Sequence, residues 1–260
     1  MLKGFLSAIG AYKLYEKWLW HQVKNGVKPG HIAIILDGNR RWASEQALNP
    51  WFGHEKGAEK VDELLDWCLK LGVKSITLYA FSTENFRRSK NEVEEIMRIA
   101  QEQFRKILTD ERIHKNKVHV KVIGRLSLLP KDLQQLIMDV ENATQDYDEH
   151  FLNLALAYGG RAEIVDAAKK IADKVYKGEL SPEEIDEQVF EKYLYTSHMS
   201  KQDPDLIIRT SGEERLSGFL LWQSAYSELC FLDVYWPGFR FIDLLRAVRT
   251  FQRRTRRFGQ

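Results

Sequence analysis

Hydrophobic positions along the 260-residue chain follow two alternating periods. Short, largely apolar runs predict strands at 31–36, 75–81, 118–123, 152–157 and 205–208, with a further one at 219–222. Between them, apolar residues recurring at three- and four-residue steps predict helices at 58–71, 91–108, 131–144, 162–176 and 182–195. The helix at 182 has a good start, because Ser181 can cap it, Pro182 fits the first turn, and Glu183 and Glu184 suit the positive helix end. Strands alternating with helices predict an α/β fold, a single domain with a central parallel sheet surrounded by helices.

The segments just past the strands carry the more useful pattern: Asp37-Gly38-Asn39-Arg40-Arg41, Ser82-Thr83-Glu84-Asn85, Gly124-Arg125, Tyr158-Gly159-Gly160-Arg161 and Arg209-Thr210-Ser211-Gly212. In a parallel sheet these loops share one edge, and open α/β sheets bind ligands outside the carboxyl ends of their strands. Asp37 places a carboxylate beside donors suited to phosphate oxygens. Magnesium is held in this way, by one or two carboxylates with waters and substrate phosphates completing the shell. The competing reading is a helix N-cap, with Asp37 or Asn39 closing the next helix; the adjacent arginines favour phosphate. Arg88, Arg209 and Arg215 lie near other strand ends, and guanidinium forks match diphosphate oxygens. Gly212, Gly218, Ser211 and Ser217 add turn glycines and hydroxyl donors. Trp42, Phe52, Phe81 and Phe86 flank these loops, either as core or beside an apolar substrate tail.

Composition narrows the function classes. With 44% hydrophobic and 29% charged residues the chain is ordinary globular material, and a net charge of +2 excludes the overall footprint of a nucleic-acid binder. Cys68 and Cys230 stand in no metal-ligand spacing, which points to a reducing, cytoplasmic setting. His54 opens His-Glu-Lys-Gly-Ala and lacks the second histidine of a zinc-protease motif; neither a Walker loop nor GxGxxG is present. Residues 5–23 are broken by Lys13, Glu16 and Lys17, so they predict an amphipathic helix (Phe5, Ile9, Tyr12, Tyr15, Leu19, Val23) rather than a membrane span. That helix docks on its own domain or a dimer mate, or else contacts a membrane surface. Six arginines (Arg246, Arg249, Arg253, Arg254, Arg256, Arg257) crowd the C-terminal helix, where cations favour the helix end and phosphate or anionic lipid is the alternative partner.

The segments HIAIILDGNRRWA, FGHEKGAEK, LYAFSTENFRRSKNEV, AYGGR and DLIIRTSGEERLSGFLLWQSAYSELCFLDVYWPGF together resemble the cis-prenyltransferases, the undecaprenyl and dehydrodolichyl diphosphate synthases. The resemblance runs from about His31 to Gly259. It implies residues 29–260 as the catalytic domain with residues 1–28 as a helical extension, an apolar tunnel, a homodimer, and Mg2+-dependent condensation of isopentenyl diphosphate with an allylic prenyl diphosphate. By the same resemblance Asp37 is a magnesium-site carboxylate, and Gly38, Asn39, Arg40, Arg41, Trp42 and His54 surround the allylic diphosphate. Ser82, Thr83, Glu84, Asn85, Phe86 and Arg88 form the second catalytic loop. Asn85 is assigned a part in removing the proton, shared with phosphate or water because a neutral amide is a poor base. Arg209, Arg215, Leu216 and Ser217 match the isopentenyl diphosphate site, Glu228 a further magnesium-site carboxylate, and Arg257-Phe258-Gly259 a terminal RxG element. The chain departs from the pattern at Pro50, where an arginine is common, and at Glu214, where some members carry a metal-site histidine. The alternatives are non-head-to-tail joining of two allylic diphosphates and a catalytically silent partner subunit; intact Asp37 and Asn85 oppose the latter.

Overall fold

The computed structural model describes residues 11–254, so Phe5, Ile9, Arg256 and the Arg257-Phe258-Gly259 element lie outside the described residues. Six strands form one all-parallel sheet in the order β3-β4-β2-β1-β5-β6: β1 (His31–Ile35), β2 (Ser75–Ser82), β3 (Val118–Ile123), β4 (His150–Tyr158), β5 (Leu206–Arg209) and β6 (Glu228–Phe231). All five residues of β1 are buried, as a central strand covered on both faces requires.

The helices are α1 (Ala11–Val23), α2 (Asn39–Glu45), α3 (Pro50–Leu71), α4 (Lys90–Thr109), α5 (Glu111–Lys115), α6 (Lys131–Thr144), α7 (Gly160–Tyr176), α8 (Glu187–Glu191) and α9 (Phe241–Arg253). α1 docks on its own domain: Leu19 and Val23 are fully buried in the main apolar cluster with Leu244, Leu245 and Val248 of α9. Leu14 and Trp18 stay on its outer side, and Arg249 lies over the Trp18 ring. No helix among the described residues is long and apolar enough to cross a membrane.

Two expected elements differ. The sixth strand is Glu228–Phe231, not 219–222. Ser217, Gly218 and Leu220 all have positive φ (48°, 81° and 45°), which bends the segment into consecutive turns. Phe219 and Leu220 are apolar because a loop, not a strand, plugs them into the core. The helix expected at 182–195 breaks after one 3-10 turn, Pro182–Glu184. Ser181 and Glu184 do form a capping box, but Asp186 then caps a separate short helix by accepting from Val189 N–H at 2.7 Å. Residues 182–188 are solvent-exposed, so no buried face holds one continuous helix. Conversely, α3 starts eight residues before the expected position, with Pro50 in its first turn.

Candidate active site

The chain leaves β1 toward β2 on one side, while β5 leads to β6 on the other, so β1 and β5 flank the switch point where a doubly wound sheet opens a crevice. Asp37 and Arg209 stand there. Arg209, with its side chain only 5% exposed, donates from Nη2 to Asp37 Oδ2 at 2.8 Å and from Nη1 to Ser217 Oγ at 2.7 Å. Thr210 fixes the Asp37 backbone from both directions: its hydroxyl accepts from Asp37 N–H at 3.0 Å and donates to Asp37 O at 2.7 Å. Burial pushes the Asp37 carboxyl up, but hydrogen bonds and charge from Arg209, with Ser211 and Arg41, outweigh it and hold the pKa below the usual value. Asp37 is therefore an anion at neutral pH.

Neither Asp37 nor Asn39 caps α2. The cap position is Gly38 at φ 100°, with no side-chain bond, so both side chains remain for the site. Asn39 Oδ1 is buried with no hydrogen-bond partner. A Cβ at Gly57 would come within 2.4 Å of that oxygen, and one at Gly53 within 2.1 Å of the Asn39 carbonyl. The glycines of FGHEKGA thus let α3 press against the start of α2.

A cavity of about 540 Å³ is lined by Asp37, Gly38, Asn39, Arg40, Arg41, His54 and Arg88, with Pro50 at its edge. Arg41 donates to Ser211 Oγ at 2.7 Å and to Glu213 Oε1 at 3.2 Å. An adjoining cavity of about 210 Å³ adds Ser82, Asn85, Arg209 and Ser217. Asn85 Oδ1 accepts from Ser82 N–H at 2.9 Å, so its carbonyl is occupied in closing the turn Thr83–Arg87. Both polar cavities share Leu36, Asn39 and His54 with a third, apolar one of about 150 Å³. This third cavity runs between the sheet and helices α3 and α4, past Ala58, Val61, Ala80, Phe81, Ile96, Ala100, Phe104 and Leu154.

Sequence reasoning missed Glu92. From the first turn of α4 its Oε1 lies 3.0 Å from Arg88 Nη1, 3.3 Å from His54 Nε2 and 3.8 Å from Arg40 Nε, so one carboxylate gathers three site residues. The four-residue spacing from Arg88 across the helix-capping Ser89 is the signal that could have found it. Burial, with the charges of Arg88 and Arg40, lowers the His54 pKa despite Glu92, leaving the imidazole neutral at pH 7.

Several expected site residues fall elsewhere. Trp42 is half-buried on α2 and lines none of these cavities. Phe86 packs edge-on against Phe81, and Leu216 packs on a second apolar cluster. Thr83 and Glu84 line a separate pocket with Gly160, Arg161 and Ser217. Arg215 is exposed and paired with Glu213, and only its backbone oxygen touches Arg209. Glu228 does not join Asp37 within this chain: it begins β6, level with Leu206 at the opposite end of β5 from Arg209, and pairs with Arg254 at 2.6 Å.

Residues 35–259 match the undecaprenyl diphosphate synthase family model. Two archaeal relatives, from Pyrococcus horikoshii and Methanopyrus kandleri, are each 55% identical over 96% of this chain and 94% and 91% of their own lengths. Both are named tritrans,polycis-undecaprenyl-diphosphate synthase (geranylgeranyl-diphosphate specific). Lavandulyl diphosphate synthase from Lavandula x intermedia, solved with dimethylallyl diphosphate, superposes with TM-score 0.85 at 39% identity, over 90% of this chain and 99% of that one. A probable undecaprenyl diphosphate synthase from Campylobacter jejuni gives 0.73 at 31% identity, over 90% and 100%. The chain is a prenyltransferase and belongs to the undecaprenyl diphosphate synthase family.

Proposed function

We propose that this cis-prenyl chain-elongating enzyme starts from geranylgeranyl diphosphate, the donor in its relatives' names, and adds isopentenyl units at the β1–β5 crevice. The observation that carries this reading is the continuity of the site: an arginine-rich polar mouth opens through Leu36, Asn39 and His54 into an apolar cavity. Such a site matches a molecule with a diphosphate head and a hydrocarbon tail.

Arg40, Arg41 and Arg88 hold the allylic diphosphate, and Arg209 with Ser217 orients the isopentenyl diphosphate. Among the described residues no three His, Cys, Asp or Glu side chains gather into a metal cluster. Asp37 and the unpartnered Asn39 oxygen instead fit an ion that arrives with diphosphate. Magnesium bound there would supply positive charge against the leaving diphosphate. The allylic C–O bond breaks, the isopentenyl double bond attacks that carbon, and a proton leaves the isopentenyl carbon chain. The occupied Asn85 carbonyl makes Asn85 an orienting group, with a diphosphate oxygen taking the proton. The homodimer that the family resemblance implies is part of this proposal.

The test is to incubate the protein with magnesium, labelled isopentenyl diphosphate and allylic donors from dimethylallyl to geranylgeranyl, then resolve the products. Extension of geranylgeranyl diphosphate in preference to shorter donors, abolished by chelator, is the expected result. No incorporation with any donor would overturn it, and coupling of dimethylallyl diphosphate alone would show non-head-to-tail chemistry.

A further inference from the structure

Tyr235 lines none of the three cavities, yet its side chain reaches both ends of α2. A Cβ on Gly38 would come within 2.6 Å of Tyr235 Cδ1, so the ring packs directly on the glycine that precedes the helix. At the other end its hydroxyl donates to Glu45 Oε1 at 2.8 Å. Between these two contacts, Arg41 Cζ lies over the ring, 5.6 Å from its centroid. That is within the range at which an aromatic face attracts a guanidinium.

The tyrosine is itself fixed by the backbone around it. Trp236 N–H donates to Asp37 O at 3.0 Å, Ser211 N–H to Val234 O at 2.7 Å and Gly212 N–H to Leu232 O at 2.9 Å. Trp236 is fully buried, and its Nε1 donates to Gly57 O at 2.7 Å. Segment 232–236 therefore ties together the loops that follow β1 and β5 and start α3's contact with them, and Tyr235 projects from it beneath Arg41.

The other restraints on Arg41 are hydrogen bonds. Nη1 donates to Ser211 O at 3.4 Å and Glu213 Oε1 at 3.2 Å, and Nη2 to Asp37 Oδ1 at 3.4 Å and Ser211 Oγ at 2.7 Å. Each of these acceptors uses an N–H that a diphosphate oxygen would otherwise take. The Tyr235 ring is different, because it holds the cation without occupying any donor. We infer that Tyr235 is a positioning residue for Arg41 and, through it, sets the affinity of the crevice for the allylic diphosphate head. The inference rests on the proposed role of Arg41 in holding that head group.

Calorimetric titration with geranylgeranyl diphosphate, in the absence of isopentenyl diphosphate so that no product forms, is the direct probe. Inorganic diphosphate serves as a second, tail-free probe. The Arg41 side chain is 44% exposed, so Tyr235→Leu should weaken both ligands by about two- to fivefold, the range of a cation–π contact at such a site. Tyr235→Phe keeps the ring and loses only the Glu45 bond, and should bind as the wild type does. In an Arg41→Ala background Tyr235→Leu should cause no further loss, because the ring then has no cation to hold. In steady-state kinetics Tyr235→Leu should raise KM for the allylic donor by the same factor and leave kcat and the KM for isopentenyl diphosphate nearly unchanged, a split that general loosening would not give. Tyr235→Met, flexible and without a ring face, makes the same comparison if the leucine variant does not fold. Equal losses in Tyr235→Phe and Tyr235→Leu would assign the effect to the hydroxyl, and an equal loss with and without Arg41 would leave Tyr235 a packing residue; either result overturns the inference. A wild-type protein that binds inorganic diphosphate but not geranylgeranyl diphosphate would instead count against the proposed donor, with the diphosphate series still testing Tyr235.

Discussion

At the residue scale, the site depends on Asp37 being held as an anion by groups from another strand. Asp37→Ala removes that charge and leaves Arg209 bonded only to Ser217 and a backbone oxygen. Loss of several kcal/mol of transition-state stabilisation predicts a fall in kcat of roughly a thousandfold, at ~1.4 kcal/mol per decade. A thermal melt should show a retained fold, and wild-type turnover at saturating magnesium would defeat the assignment. Pro50 supports a second prediction. It edges the same cavity as Arg40, Arg41 and His54, at a helix position that needs no amide donor, so an arginine fits its backbone. A charged hydrogen bond contributes roughly 1.5–3 kcal/mol, about 10- to 150-fold in affinity. Pro50→Arg should lower KM for the allylic donor and leave that for isopentenyl diphosphate nearly unchanged; steady-state kinetics with no donor-specific gain would sink it. Asp37, Arg41, Arg88 and Arg209 were legible in the sequence because strand-end loops must share an edge. Glu92 was not, because an acid in a helix's first turn ordinarily signals capping. The separation of Glu228 from Asp37 within the chain was not legible either, since a matching motif says nothing about which end of a strand a residue occupies.

At the element scale, β2 carries the wall of the apolar cavity. Its pairing with β4 slips between Tyr79 and Phe81, and this irregularity turns Ala80 into the open space while its neighbours stay buried. Ala80→Leu should place extra carbon in the path of the tail near the mouth and shorten the final product by at least one isoprene unit. Chromatography of reaction products checks this, and an unchanged distribution would mean that Ala80 does not bound the path. The strands were readable because buried parallel strands appear as apolar runs. The two misread elements share a cause. Phe219 and Leu220 are apolar because a turn buries them, and 182–189 carries good cap residues without a buried stripe, so local signals pointed one way and tertiary packing another.

At the scale of the whole molecule, a buried polar chain crosses the sheet and couples its stability to pH. His31 Nε2 lies 2.8 Å from Thr77 Oγ1, Asn153 Nδ2 donates to the same oxygen at 3.1 Å, and Asn153 Oδ1 lies 2.8 Å from His198 Nε2. Burial, the leading cause in both, lowers the pKa of His31 and of His198 from 6.5 to about 4; Asp205 opposes this at His31, while His119 and Lys121 add to it at His198. Above about pH 6.5 both imidazoles are neutral folded or unfolded and cost nothing. Between 6.5 and 4 the unfolded chain takes up protons that the native one refuses, so stability falls by up to about 1.4 kcal/mol per pH unit for each histidine. Carboxylates held down in the fold, such as Asp37 and Asp110, add their own loss only at lower pH. Glu163 and Asp203, pushed up mainly by burial, work in the opposite direction by taking up protons in the native state. The separable quantity is therefore a difference. His198→Gln keeps an amide to reach Asn153 and removes one titration, so urea unfolding at pH 7 and pH 4 should show the wild type losing up to about 3 kcal/mol more than the variant. Equal losses in the two proteins would mean that His198 titrates in the fold much as it does in the unfolded chain.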